Sequence, residues 1–354
     1  MSSSASARRA ARNPRLALGG YPVLLPHFTV DEQHLRYGDN FLRVTEPEER
    51  EFAARCDGRT TFKEIMAALP SAAGRASTAP YLTWLSAPLG SAGAVADASP
   101  SATWLIISPH PDDAELSFGG TLLARPEGVQ VINAVCFSDL IYTQSPTAFP
   151  QSAVVNAVRR DEAVLAAAAV GMSVEFLGFP EFVYREVMCG DGDLSEAEKS
   201  TREALKVRLF QLIARHRPTA VFAPAAIGNH ADHRMVFDAI IEFVDDDLFP
   251  ETGFHLYEDY PYSASYQAVD DFLARFEHSY LDATAHFTDI TPFVARKLAV
   301  VDIYRSQFSR SIGAHVKAAA ERIAAVAAHG KAQAGAGAER YWSIGVMGAG
   351  GPAF

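Results

Sequence analysis

The chain has 354 residues, 49% of them apolar, and a formal net charge of −11 from 31 basic and 42 acidic side chains. That balance excludes a nucleic-acid surface and attachment to anionic lipid by bulk charge, and no apolar run reaches the length of a membrane span. The three scattered cysteines, Cys56, Cys136 and Cys189, form neither a disulfide framework nor a Cys-based metal site; they read as reduced thiols of a cytoplasmic protein.

Residues 1–20, rich in Ser, Ala and Arg and without an acid, read as a disordered tail. Residues 21–69 read as a small N-terminal accessory domain: a strand at Phe41–Val44, a helix at Glu48–Cys56, a break at Asp57-Gly58 and a second helix at Thr60–Leu69. Thr60 or Thr61 caps that second helix, with Glu64 as capping-box partner. The order resembles the small winged-helix peptide-binding domains of the PqqD type, which implies a carrier or peptide partner for 21–69. The other reading is a subdomain packed on the rest, since no residue here is chemically distinctive. Residues 70–100, dense in Ala, Ser, Gly and Pro, read as a linker that sets the start of a main domain at 101–354.

That domain opens on Trp104–Ile107, an apolar run of the kind that fills a buried parallel strand. Pro109 and Pro111 end it. His110, Asp112, Asp113 and Glu115 follow, and helix resumes from Glu115, with Gly119-Gly120 lowering its propensity. The charged cluster thus sits on a strand-to-helix turn, where open α/β sheets bind ligands. His110 and Asp113 are three apart and can converge as N and O ligands of a divalent metal such as zinc. Asp112 then points elsewhere, free to take a proton from water. Taken singly, any of these is a turn residue or an N-cap.

Val129–Phe137 reads as the second strand. Ser138, Asp139 and Tyr142 at its end are placed to line a pocket, although a lone Asp139 is also an ordinary turn former. The loop to Ser152 is long enough for a rim. An amphipathic helix follows over 154–170, starting near Arg159-Arg160-Asp161-Glu162, and then a third strand over 174–178, ending at Phe179-Pro180-Glu181. Residues 188–198 read as an exposed polar loop and 196–216 as a long helix.

Ala220–Pro224 is again a short buried strand, and it leads into His230-Ala231-Asp232-His233 before another helix. A strand end gives way a second time to a loop with His, Asp and His. His233 supplies a third metal ligand, which leaves a catalytic site one open position for water. Downstream, Gly253–Tyr262 reads as a strand ending in acids and aromatics, the aromatics forming either a sugar-stacking wall or ordinary rim packing, 285–290 as an edge strand, and Pro292 as a helix start. Lys297, Tyr304 and Gln307 form a polar stripe read as scaffold. A helix at 314–329 and a strand from Glu339 close the chain.

The two motifs, His110-Pro-Asp-Asp-Ala-Glu115 and His230-Ala-Asp-His233, resemble the His-Pro-Asp-Asp-x-Glu and His-x-Asp-His motifs of the LmbE-like (PIG-L) zinc-dependent N-deacetylases, over 101–354. The resemblance implies an α/β fold with a Rossmann-like, mostly parallel sheet and helices on both faces. It implies one Zn2+ held by His110, Asp113 and His233, with Asp112 as base. His230, protonated, would stabilise the oxyanion or protonate the leaving amine, and Asp232 would hold a histidine. Arg159 matches a family Arg that commonly holds substrate, but also reads as part of a solvated charged turn. Glu181 stands where the family usually has Asp. The implied substrate is a small N-acylated amino-sugar compound, N-acetyl foremost. An amidase acting on a thiol or sugar conjugate and a non-catalytic binding protein of the same fold are the alternatives, and homo-oligomerisation is left open.

Overall fold

The computed structural model describes residues 29–30, 34–37, 40–43, 102–139, 152–185, 194–264, 266–275, 281–309, 311–329 and 335–346. The expected tail, the two expected helices of the accessory domain, the linker and the rim loop before Ser152 lie outside the described residues. Two compact units divide the chain. One comprises residues 1–98, 142–161 and 305–308. Within it, β1 (Thr29–Val30), β2 (His34–Tyr37) and β3 (Asn40–Arg43) form an antiparallel sheet in the order β1-β2-β3. The expected strand at Phe41 falls on β3.

The other unit comprises residues 99–141, 162–304 and 309–354 and is built on one seven-stranded sheet. Its strands are β4 (Ala102–Ser108), β5 (Val129–Asp139), β6 (Ser173–Pro180), β7 (Ala220–Pro224), β8 (Gly253–Tyr257), β9 (Leu281–Asp289) and β10 (Ala338–Val346). They lie in the order β6-β5-β4-β7-β8-β10-β9. The first five are parallel, and β10 runs antiparallel to both β8 and β9. Leu105, Ile106 and Ile107 of the central strand are fully buried, as their apolar run requires when both faces of a sheet are covered. The edge strand expected at 285–290 is β9, at the sheet's end.

The connecting helices are α1 (Asp113–Ala124), α2 (Ser152–Val170), α3 (Glu196–His216), α4 (Ala231–Asp245), α5 (Tyr266–Ala274), α6 (Val294–Val301) and α7 (Ile312–Ala327). They cover both faces. Consecutive residues of β10 point to opposite sides: Tyr341 meets Phe118 of α1 edge-on at 5.6 Å, and Trp342 meets Phe272 of α5 at 4.8 Å. Among the described residues no helix is long and apolar enough to cross a membrane.

Two features of α1 explain its odd sequence. A Cβ on Gly120 would stand 2.6 Å from Ile290, so the poor helix former is what lets the segment before α6 pack this closely. The backbone N–H groups of Gly120 and Thr121 donate to the Glu339 carboxylate at 2.8 and 2.6 Å, and Lys297 Nζ donates to the same carboxylate at 2.5 Å. Lys297 and Glu339 are both buried. Together they fasten α1, α6 and β10, the scaffold use expected of Lys297. Tyr304 closes the other end by donating its hydroxyl to Pro111 O at 2.8 Å.

The topology also fixes where a ligand goes. From β4 the chain adds β5 and β6 on one side, then crosses back to place β7 on the other. The turns that follow β4 and β7 therefore leave in opposite directions. The crevice between them is the switch point at which doubly wound sheets bind ligands, and both sequence motifs occupy it.

Candidate active site

Each motif begins where a buried strand stops. After β4, Asp112 takes the N-cap position of α1, but its side chain makes no capping hydrogen bond. Asp113 is turned back instead: its Oδ2 accepts from His110 N at 2.6 Å and lies 3.5 Å from His110 Nδ1. After β7 the loop passes through left-handed backbone at Gly228 (φ 83°) and Asn229 (φ 58°). A Cβ at Gly228 would lie 2.9 Å from Tyr262, so glycine answers both the backbone and the close packing there. His230 then caps α4, its Nδ1 accepting from Asp232 N at 3.3 Å. One turn on, His233 faces inward.

The two loops meet. Ligand atoms of His110, Asp113 and His233 lie within 4.8 Å of one another, as do those of His110, His230 and Asp232. His233 Nε2 stands 3.4 Å from Asp113 Oδ2. It is buried and has no hydrogen-bond partner. Each of these two imidazoles is held from behind by its own acid. His233 Nδ1 bonds Asp259 Oδ1 at 2.8 Å, and His110 Nε2 bonds Asp232 Oδ2 at 2.9 Å. Those bonds place the ring protons on His233 Nδ1 and His110 Nε2, and turn His233 Nε2 and His110 Nδ1 toward Asp113. Carboxylate-held imidazoles of this kind are the usual surroundings of metal-binding histidine.

The electrostatics fit the same use. Burial alone would lower the His110 pKa, but Asp113 and Asp232 outweigh it and raise it to about 10. Burial would raise that of Asp113, but His233 and His110 pull it down to about 2. His233 is raised, with Asp113 and Asp259 outweighing its burial. The carboxylates of Asp113, Asp232 and Asp259 thus favour positive charge at the two histidines, and the histidines in turn favour the ionised form of Asp113. Two imidazole nitrogens and a carboxylate oxygen are the donor set of a divalent metal, and the buried, unpartnered His233 Nε2 fits one.

His230 differs from expectation. Burial, then the neighbouring His110 and His233, push its pKa down to about 4, so it is neutral at neutral pH. Because its Nδ1 accepts a hydrogen bond, the proton sits on Nε2. The ring lies edge-on to His110 and His233, at 5.2 and 5.3 Å between centroids.

Of the other expected residues, Asp112 is buried close by in sequence and fold. Asp139 ends β5 exposed, its carbonyl accepting from Glu181 N at 3.1 Å, while Glu181 is itself buried. Arg159 is buried within the other compact unit. Sequence reading misses Asp259, which ends the segment after β8 and reads there as rim packing; the strand-end rule that singles out Asp139 applies to it equally. It also misses Arg185, Glu198 and Phe182. Glu198, read as part of an exposed loop, is fully buried in the first turn of α3, whose cap is Ser195. Phe182 and Tyr262 wall His230, with ring centroids at 4.8 and 5.7 Å.

A divalent-metal enzyme of the α/β class is what this crevice defines. The family model described as PIG-L, GlcNAc-PI de-N-acetylase, matches residues 105–244. The 2'-N-acetylparomamine deacetylase of Streptomyces fradiae is 32% identical over 214 residues, which span 57% of this chain and 72% of that protein. The chain belongs to the PIG-L family of de-N-acetylases. Among solved structures, a deacetylase–teicoplanin complex from the teicoplanin biosynthesis pathway has the same fold, with a TM-score of 0.54 at 22% identity over 69% of this chain and 98% of that one. The zinc-inhibited form of teicoplanin deacetylase gives 0.52 at 22% identity, over 70% of this chain and all (100%) of that one.

Proposed function

We propose that the protein is a zinc-dependent N-deacetylase that removes the acetyl group from the amine of a small amino-sugar compound. What carries this reading is the meeting of His110, Asp113 and His233 at the switch point, with His233 Nε2 unpartnered and facing Asp113. These three residues would hold the metal. When bound, it supplies Lewis acidity, which lowers the pKa of water from about 15.7 toward about 7. The 2'-N-acetylparomamine deacetylase supports the amino-sugar substrate.

The chain's own residues then divide the proton work. Asp112, whose side chain is not spent on capping, takes a proton from the attacking water and delivers it to the departing nitrogen as the C–N bond breaks. His230 acts as a neutral donor: its Nε2–H is offered to the oxygen that gains negative charge, and a neutral imidazole avoids the cost of placing another cation beside the metal. Asp232 and Asp259 hold the two histidines. Phe182 and Tyr262 give the sugar apolar surface to lie against. Asp139 and Glu181 are kept as substrate contacts.

The test is direct. Purified protein, loaded with zinc, is offered N-acetylated aminoglycoside precursors and simple N-acetylglucosamine glycosides. Release of acetate and a primary amine in equal amounts is expected, and treatment with a chelator abolishes it. Full metal occupancy with no amine from any of these compounds would overturn the reading.

A further inference from the structure

One buried cation beside the site has no part in the chemistry just described. Arg185 closes the 3-10 turn Phe182–Tyr184 that follows β6, and its side chain is only 4% exposed. Its guanidinium reaches acceptors in three directions. Nε donates to Glu198 Oε2 at 2.7 Å, one terminal nitrogen to Pro180 O at 2.6 Å, and the other to Asp232 Oδ1 at 2.7 Å. The ring of Phe137 lies against it, 4.8 Å away.

Asp232 is thereby fixed at both oxygens. Oδ1 is taken by Arg185. Oδ2 takes His110 Nε2 at 2.9 Å and the Phe182 backbone N–H at 3.1 Å. An unbroken chain thus runs from Glu198 at the start of α3, through Arg185 and Asp232, to His110. A fully buried carboxylate is costly to hold ionised and free to turn unless it is paired. The planar guanidinium supplies that pairing along directions no ammonium can match.

We propose that Arg185 is a positioning residue of the metal site. It holds Asp232 in one orientation, so that Asp232 Oδ2 accepts the hydrogen bond of His110 Nε2 and leaves His110 Nδ1 directed at the metal position. It also ties His110 to the Phe182 turn, whose ring packs edge-on against His230 at 4.8 Å. Glu198 is the far anchor: it accepts Arg185 Nε and keeps the guanidinium from withdrawing. The inference rests on the metal-dependent reading of the site, yet it is judged first by metal binding, which needs no substrate.

The experiment compares wild type with Arg185→Ala and Arg185→Lys, each as the full chain. Zinc affinity is read by competition with a chromophoric chelator, kcat and KM at limiting and at saturating zinc, and folding by circular dichroism. In Arg185→Ala, zinc affinity is expected to fall about 10- to 100-fold, the usual effect of losing an outer partner of a metal-binding histidine. The kcat at limiting zinc falls with it and recovers as zinc is raised to saturation, while KM at saturating zinc stays within about twofold because Arg185 does not touch substrate. Added methylguanidinium restores both zinc affinity and kcat in Arg185→Ala. Arg185→Lys keeps the charge but not the three-way geometry, so its zinc affinity also drops; this variant decides the matter if the alanine variant fails to fold. Zinc affinity within twofold of wild type in a folded variant would overturn the proposal, as would a loss that methylguanidinium leaves unchanged. A normal Arg185 effect on zinc with no deacetylation by wild type would instead count against the proposed activity alone.

Discussion

His233 Nε2 and Asp113 Oδ2 stand 3.4 Å apart although they belong to loops that follow different strands of the sheet. The approach is set by topology before it is set by side chains. Because β4 and β7 are neighbours whose outgoing turns diverge, the first residues of α1 and α4 open toward one another. An imidazole from one and a carboxylate from the other then face across the crevice. Asp259 behind His233 and the backbone N–H of His110 beneath Asp113 decide which atoms point inward.

Replacing His233 removes one of the three proposed metal donors. His233→Ala is expected to lose zinc affinity by more than the roughly 10- to 100-fold that the loss of an outer partner costs. The same defect shows in stability. Zinc at about 100 times its dissociation constant stabilises wild type by about 2.7 kcal/mol, so its melting temperature rises on metal addition and falls on chelation. The variant's melting temperature should not respond to zinc at that concentration. Elemental analysis of the purified variant and paired melting curves check this; a zinc-dependent rise equal to that of wild type would remove His233 from the ligand set.

Asp112 is assigned the proton work, not metal binding. Asp112→Asn is therefore expected to keep its zinc and its melting temperature while kcat falls by about 10²- to 10⁴-fold, the span that positioned general acid–base groups contribute. The check is single-turnover kinetics on protein whose metal content has been measured. Loss of metal together with activity would instead place Asp112 among the ligands.

The outcome for Asp259 should lie between these two. Asp259→Asn keeps the shape but no longer fixes the His233 Nδ1 proton as an ionised carboxylate does. Its other oxygen, which accepts Ile227 N at 3.1 Å, still anchors the loop. Zinc affinity is expected to drop about 10- to 100-fold, with kcat recovering as zinc is raised. A kcat that stays low at saturating zinc would mean that Asp259 does more than orient a ligand.

How far the site could be read in advance follows from where each residue's partner lies along the chain. His110 to Glu115 and His230 to His233 are short runs, with every member next to a strand that apolar composition makes plain. The long helix at 196–216 is legible because its buried leucines recur at helical spacing, and the strand at 220–224 because it is a short, wholly buried apolar run. Asp259 was legible in principle, since it follows a strand end, but neighbouring aromatics drew the reading toward packing. Arg185 and Glu198 were not legible. Glu198 stands among polar residues that look solvated, and it is buried because Arg185 returns from another element to meet it. The neutral state of His230 was hidden likewise, since it depends on burial and on charges brought close by folding.

His255 ties stability to pH away from the metal site. On β8 its ring stacks on Phe222, 4.7 Å between centroids, and meets Tyr341 edge-on at 5.5 Å, with Nδ1 unpartnered. Burial, with a smaller contribution from His286, pushes its pKa down from 6.5 to about 4. The folded state thus binds fewer protons than the unfolded chain. The stability due to a neutral His255 is whole above about pH 6.5 and is lost as pH falls toward 4. Since a tenfold change in proton affinity corresponds to about 1.36 kcal/mol, the loss amounts to about 3 kcal/mol. His255→Phe places a ring without polar atoms in the same aromatic stack. Its urea midpoint is expected to lie near that of wild type at pH 7 and clearly above it at pH 5, where wild type has surrendered part of that stability. Parallel falls in the two midpoints between pH 7 and pH 5 would acquit His255 and assign the acid sensitivity to the carboxylates of the crevice.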